Sequence, residues 1–241
     1  KDPLRFLSAS RNGTLCYTFQ GEIYTQQPNG KPQKISVNVK RDDSAEETEV
    51  LKSGKEASEA VVSSDGKQMA FIFRGDVFVS SVDYGTTKQI TNTPEQERQV
   101  NFSSDGKKLV YSGERNGSWN LYVASIADAK EPNFPNATII NEECLYSTPR
   151  NAMYPKFSPD GKEIAFYENR CELKIITLAD KKVRQITDGK TTFSSSDGDL
   201  DFNWSPDGKW ITFDYTPNKH WPYNDIGIVS TKGGEPIIDL V

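Results

Sequence analysis

At 241 residues, with a formal net charge of −5 and three cysteines, the chain is long enough for one large all-β domain and does not require two. The acidic balance and the lack of any Lys/Arg cluster argue against nucleic acid as a partner. No apolar run approaches the ~20 residues of a membrane helix, so no membrane span is expected. A single histidine and no CxxC pair argue against zinc, and neither metal nor cofactor is expected. No signal peptide is visible, and the chain opens abruptly at Lys1-Asp2-Pro3, as a piece of a longer protein would.

A turn recurs along the chain. A degenerate copy, Ser10-Arg11-Asn12-Gly13-Thr14, comes first. Ser63-Ser64-Asp65-Gly66-Lys67 and Ser103-Ser104-Asp105-Gly106-Lys107 follow, and then Ser158-Pro159-Asp160-Gly161-Lys162 and Ser205-Pro206-Asp207-Gly208-Lys209. Asp caps such a turn with its carboxylate and Gly takes the positive φ, so each copy predicts a hairpin. The turn glycines lie 53, 40, 55 and 47 residues apart. Units of ~40–50 residues built from short strands predict propeller blades of four strands, lettered A to D.

In chain order the predicted blades span approximately residues 4–40, 58–92, 98–142, 153–188 and 200–241, within one β-propeller domain over 1–241. The first contains Leu15–Phe19, a strand through Glu22-Ile23-Tyr24, and Gln33–Val37. In the second, strands A to D are Ala60–Ser63, Gln68–Arg74, Asp76–Val82 and Lys88–Thr91. The third has Gln99–Ser103, Lys108–Gly113, Asn120–Ile126 and Thr138–Asn141. The fourth has Tyr154–Ser158, Glu163–Glu168, Leu173–Leu178 and Val183–Thr187. The fifth has Asp201–Ser205, Trp210–Tyr215, Asp225–Thr231 and Pro236–Leu240. The strands read as short apolar runs rather than alternating ones, as expected where both faces pack against neighbours. The best helical stretch, Ser44–Leu51, carries an acidic run that favours a solvated loop. The array ends on apolar Ile237-Ile238-Asp239-Leu240-Val241, which fits a cut from a larger propeller in a multidomain protein.

In a propeller the A–B and C–D turns share one face, and the B–C turns and D–A links share the other. Every A–B turn here is short. The long segments are the links Asn38–Glu59, Glu142–Met153 and Asp188–Leu200, the B–C loop Thr216–Asn224, and one C–D excursion at Ala127–Ala137. Loops on a rigid scaffold carry binding, so the link-bearing face is the binding candidate. Its residues of interest are His220, Trp221 and Tyr223 in the longest B–C loop, with Arg74, Asp76 and Asp225 at the B–C turns and the starts of strands C.

His220 could serve a Ser-His-Asp triad, but no GxSxG elbow accompanies it, so a rim residue is the simpler reading and no catalytic residue is assigned. Trp221 and Tyr223 suit an interface anchor as well as local packing. Asp197, Asp199 and Asp201 lack the order of a calcium loop and read as a polar link. Asp76 and Asp225 could line a pore or rim, or serve turn chemistry. Trp119, Trp204 and Trp210 read as core. Cys16 reads as a small buried hydrophobe, and pairing of Cys144 with Cys171 stays open. Nothing singles out a carboxylate pair for glycoside chemistry. The compartment stays open, with a periplasmic or other extracytoplasmic setting preferred to the cytoplasm.

The aromatic-Ser-x-Asp-Gly-Lys pattern followed by an apolar run resembles the propeller repeats of TolB proteins and of tricorn-type peptidases. The run Arg74-Gly75-Asp76-Val77-Phe78-Val79, then Gln89-Ile90-Thr91-Asn92-Thr93-Pro94 and Glu97-Arg98, looks specifically tricorn-like. So does Asn224-Asp225-Ile226-Gly227-Ile228-Val229 with Gly233-Gly234-Glu235-Pro236. That resemblance implies a serine peptidase whose propellers gate or dock peptides, while the nucleophile sits in a later catalytic domain. Its catalytic motifs match no position here, so whether the chain is itself an enzyme stays open. The implied partners are a peptide or unfolded protein substrate and the catalytic domain of the same polypeptide. The alternative is a TolB-like interaction propeller of a cell-envelope complex.

Overall fold

The computed structural model describes residues 4–37, 57–192, 194, 200–216 and 225–238. The chain forms two compact units, Lys1–Lys52 and Ser53–Val241. The expected loop Ser44–Leu51 lies outside the described residues.

The first unit holds one antiparallel sheet, blade 1: β1 (Arg5–Ala9), β2 (Leu15–Phe19), β3 (Glu22–Gln26) and β4 (Gln33–Lys34), paired in that order. Strand D is shorter than the predicted Gln33–Val37, although Ile35 still donates its N–H to Ile23 O at 2.8 Å. Tyr17 is buried and stacks on its cross-strand partner Tyr24 at 5.9 Å.

The second unit holds four sheets. Blade 2 is β5 (Ala57–Val62), β6 (Gln68–Phe73), β7 (Asp76–Ser81) and β8 (Thr87–Gln89). Blade 3 is β9 (Glu97–Phe102), β10 (Lys108–Arg115), β11 (Ser118–Ile126) and β12 (Ile140–Tyr146). Blade 4 is β13 (Ala152–Phe157), β14 (Glu163–Glu168), β15 (Glu172–Thr177) and β16 (Val183–Gln185). Blade 5 is β17 (Phe202–Trp204), β18 (Trp210–Tyr215) and β19 (Asp225–Ser230), with Ile237 bridging Ile228 where strand D was expected. The fold is therefore all-β, made of propeller blades. The predicted link Glu142–Met153 shrinks, because β12 runs on to Tyr146 and the next strand starts at Ala152.

Both faces of the middle sheets pack, which explains the unbroken apolar runs. Tyr111 and Tyr122 of blade 3 meet Ala70, Ile72, Val77 and Val79 of blade 2 in one core cluster. Val110, Leu121 and Val123, from the opposite side of blade 3, meet Ile164, Phe166 and Ile176 of blade 4. Blade 4 in turn meets blade 5 through Ala165, Tyr167, Leu173 and Ile175 against Phe202, Ile211, Phe213 and Val229. The expectation that three tryptophans are core is corrected: Trp119 and Trp204 are half-buried, and Trp210 is 42% exposed.

The recurrent turn is built alike wherever it occurs in full. In blade 2 Ser63 Oγ donates to Asp65 Oδ1 (2.6 Å), which also accepts from Lys67 N (3.1 Å), while Gln68 N donates to Ser63 Oγ (3.0 Å). Ser103, Ser158 and Ser205 repeat the arrangement with Asp105, Asp160 and Asp207. Gly66 takes φ of 73°, a left-handed value open to glycine without strain.

On the side of these turns, the C–D excursion folds into a short 3-10 turn, Phe134–Asn136. Its fully buried Phe134 donates its N–H to Gln68 Oε1 (2.8 Å), and Gln68 Nε2 donates to Gly106 O (3.0 Å). The excursion thus straps blade 3 to blade 2.

The first strands of successive blades abut, β5 against β9 and β9 against β13. Each carries a bulge, and the bulge residues Gln99 and Tyr154 hold positive φ of 58° and 59°. Their N–H groups are held by the preceding blade: Gln99 N donates to Glu59 Oε2 (2.5 Å) and Tyr154 N to Gln99 Oε1 (2.8 Å). Bulges re-aim side chains and cost backbone strain, which these bonds offset.

Candidate functional site

In an antiparallel meander, B–C turns and D–A links meet at one end. There blades 2 and 3 are joined by a continuous polar clasp. Asp76 begins β7, and its carboxylate accepts from Thr91 Oγ1 (2.9 Å), Thr93 N (3.2 Å) and Gln89 Nε2 (3.2 Å). Thr91 Oγ1 also lies 3.0 Å from Glu97 Oε2 and accepts from Val77 N at 2.9 Å. One hydroxyl proton serves one of the two carboxylates at a time.

Glu97 is fully buried, and its other oxygen accepts from Thr93 Oγ1 (3.0 Å) and Arg115 Nη2 (2.9 Å). Arg115 forks onto Glu142 at 2.8 and 2.9 Å, and its guanidinium sits 4.0 Å over the Tyr122 ring. The Tyr111 hydroxyl donates to the same Glu142.

The electrostatics follow from who owns the arginine. Burial pushes the Glu97 carboxyl up, and Arg115, Thr93 and Thr91 only partly oppose it. Burial also presses on Glu142, but the bidentate Arg115 and the Tyr111 hydroxyl outweigh it and hold this carboxyl low. Tyr111 is pushed up by burial and by donating to Glu142.

A second clasp joins blades 3 and 4. Nearly buried Glu168 accepts from Tyr146 Oη and Thr148 Oγ1, both at 2.8 Å, and pairs with Lys174 and with Arg150 at 3.2 Å. Glu172 closes the loop by pairing with the same two cations. Here burial of Glu168 is outweighed by Lys174, Thr148 and Tyr146, and its carboxyl lies low. At the junction of blades 4 and 5 the threonine bond recurs, Leu173 N donating to Thr187 Oγ1 at 3.1 Å as Val77 N does to Thr91.

Of the sequence-predicted site residues, Asp76 falls inside the first clasp. Arg74 occupies the adjoining turn at φ of 53°, its guanidinium 5.4 Å over Phe73. Asp225 starts β19 on blade 5 and accepts from Ile226 N at 2.9 Å, apart from that clasp. His220, Trp221 and Tyr223 lie outside the described residues, as do Asp197 and Asp199. Asp201 pairs with Lys156 at 2.6 Å. Among the described residues no group of three or more His, Cys, Asp or Glu could hold a metal, and no helix is long and apolar enough to cross a membrane. All three cysteines are free thiols.

Sequence reasoning missed Glu97, Arg115, Glu142 and Glu168 as clasp residues. Glu97 had a signal, since Thr91, Thr93 and Glu97 share one link; the Arg115–Glu142 pair spans 27 residues and had none.

No family model matches the chain. Over 118 residues it is 31% identical to the Tol-Pal system protein TolB of Francisella tularensis subsp. holarctica, covering 46% of this chain and 25% of that protein. The mediasiatica subspecies protein is 30% identical over the same length. The aligned stretch spans a quarter of the length of these curated relatives.

Among solved structures, a putative TolB from Agrobacterium tumefaciens aligns with a TM-score of 0.57 at 17% identity, covering 98% of this chain and 80% of that one. TolB from Acinetobacter baumannii aligns at 0.52 and 18% identity, covering 98% and 56%. The tricorn protease aligns at 0.51 and 16% identity, covering 98% and 22%. At these identities the likeness concerns the fold, which is the TolB-like β-propeller that the tricorn protease also contains.

Proposed function

We propose that the chain is a non-catalytic β-propeller module that docks a peptide or an unfolded protein on its link-bearing face, for a tricorn-like serine peptidase in the same polypeptide. The observation that carries this is the inter-blade clasp. Asp76, Glu97, Glu142 and Glu168 are spent on threonines, Arg115, Lys174 and Arg150, which supports reading the blade 2–3 and blade 3–4 junctions as a rigid platform rather than a poised reactive group. Rigid scaffolds bearing links and turns on one face are recognition surfaces.

A second reading, a TolB-like interaction propeller of an extracytoplasmic cell-envelope complex, is favoured by the curated relatives, all of which are Tol-Pal TolB proteins. Both readings place a protein partner on the same face and differ in the parent. The test is fluorescence anisotropy of a labelled, unfolded casein against the isolated chain, with a parallel peptide-cleavage assay. Saturable binding without turnover is expected. Turnover abolished by a serine-directed inhibitor, or no binding at any concentration, would overturn the peptide-docking reading; capture of envelope proteins alone would favour the second.

A further inference from the structure

Blade 3 has an edge unlike those of the other blades. The fourth strands β4, β8 and β16 span only two or three residues, and blade 5 has a single bridge at Ile237. Short strands blunt a sheet edge, which otherwise offers unpaired N–H and C=O groups to any extended chain. β12 instead runs for seven residues, Ile140–Tyr146, at the end of its sheet, with β11 as its paired strand. Asn141, Glu142, Glu143 and Cys144 are all exposed.

The register fixes which groups that edge offers. Ile126 N donates to Lys107 O (3.3 Å), so its main chain turns to β10, while Ala127 N donates to Ile139 O (3.0 Å). By the alternation of an antiparallel ladder, Ser125 and Val123 turn to β12, where they oppose Asn141 and Glu143. The N–H and C=O groups of Ile140, Glu142 and Cys144 therefore point away from the sheet, spaced as an added antiparallel strand would pair them.

The side chains choose among occupants. A second copy pairing edge to edge about a two-fold axis, in the registers that use the whole exposed run, sets Glu142 or Glu143 against its own copy. Like charges directly opposite one another disfavour that arrangement. Glu142 is held by Arg115, whereas Glu143, on the other side of the strand, meets the exposed Lys181 at 2.9 Å. A surface ion pair of that kind is worth little, so Glu143 can exchange it for a cation on an added strand.

We propose that the β12 edge takes an extended, lysine- or arginine-bearing segment of a partner protein as an additional antiparallel strand. Its main chain bonds to Ile140, Glu142 and Cys144, and its basic residues lie opposite Glu143. The site is the free edge of blade 3 and does not depend on docking at the link side.

The test titrates a fluorescein-labelled peptide of alternating lysine and valine with the 241-residue chain and follows its anisotropy. Saturable binding is expected. In this pairing the lysines oppose Asn141 and Glu143 and the valines donate to the edge. N-methylation of the valine amides should therefore weaken binding at least about tenfold with every charge kept. Cys144→Pro removes an outward N–H, leaves the bonds to β11 in place, and should weaken binding equally. Glu143→Lys should weaken it about threefold. If Cys144→Pro does not fold, the methylated peptide against the unaltered chain decides. The proposal is overturned by the lack of saturable binding, by equal binding of the methylated peptide, or by equal binding of a glutamate–valine peptide. Self-association of the chain that Cys144→Pro abolishes also overturns it, by making the occupant a second copy.

Discussion

Asp105 and Glu97 are both carboxylates of blade 3, both held by a hydroxyl and further donors, and they are pushed in opposite directions. Asp105 sits at an exposed turn, where the cost of burial is outweighed by Ser103 and by Lys107 N–H, and its carboxyl falls. Glu97 sits at the opposite end of the sheets, fully buried, where burial outweighs Arg115 and its carboxyl rises. The carboxylates of the recurrent turns are held locally, within five residues of chain, and face water, while the tie between blades on that side comes from the Phe134 strap. The link side is stabilised across blades and out of water. A surface that must keep its shape while a partner lands on it is better served by the second arrangement, and the proposal of docking on the link side rests on that contrast.

The largest way to break that contrast is Arg115→Met. It leaves Glu97 and Glu142 without their shared cation, and urea unfolding should show a loss of about 3–5 kcal/mol, the usual cost of stranding a buried charge. Next is Gly227→Ala. A Cβ there would meet the Phe213 ring at 2.5 Å, so the blade 4–5 core must shift, at about 1–3 kcal/mol. The turn side should respond least. Asp105→Ala removes bonds from Ser103 and Lys107 and should cost about 1 kcal/mol at neutral pH.

The pH dependences should also separate the two sides. Depressed turn aspartates contribute stability that is present above their unfolded value near 3.8 and is lost as pH falls through the lower folded values. Glu97 does the reverse: its raised carboxyl favours the folded chain at pH below 4.5, and that contribution is lost as pH rises through its folded value. Glu97→Gln should therefore flatten the alkaline-going loss above pH 4.5 and leave the acid limb unchanged, as read from urea midpoints across pH.

Much of the fold was legible because the turn fixes where each second strand starts. Leu15–Phe19, Glu163–Glu168 and Trp210–Tyr215 lie where the apolar runs predict them. Fourth strands were harder. Thr87–Gln89 and Val183–Gln185 are three-residue, largely polar edges, and β12 continues through Glu142 and Glu143, which read as loop. The candidate site was less legible still. Asp76 was found because it follows a turn, but its partners Glu97, Arg115 and Glu142 come together only when two blades stack. Trp210 was misread for a related reason: its type suggests core, but it lies on the face of blade 5 turned away from the blade 4 core, where it is 42% exposed.

The most direct test of docking on the link side is a charge-reversal comparison in the casein anisotropy assay. Arg74→Glu with Arg98→Glu alters the link side, and Lys67→Glu with Lys162→Glu alters the turn side by the same net charge. Binding should fall at least about tenfold for the first pair and stay within about twofold for the second. Equal losses for both pairs, or a loss confined to the turn side, would contradict the account.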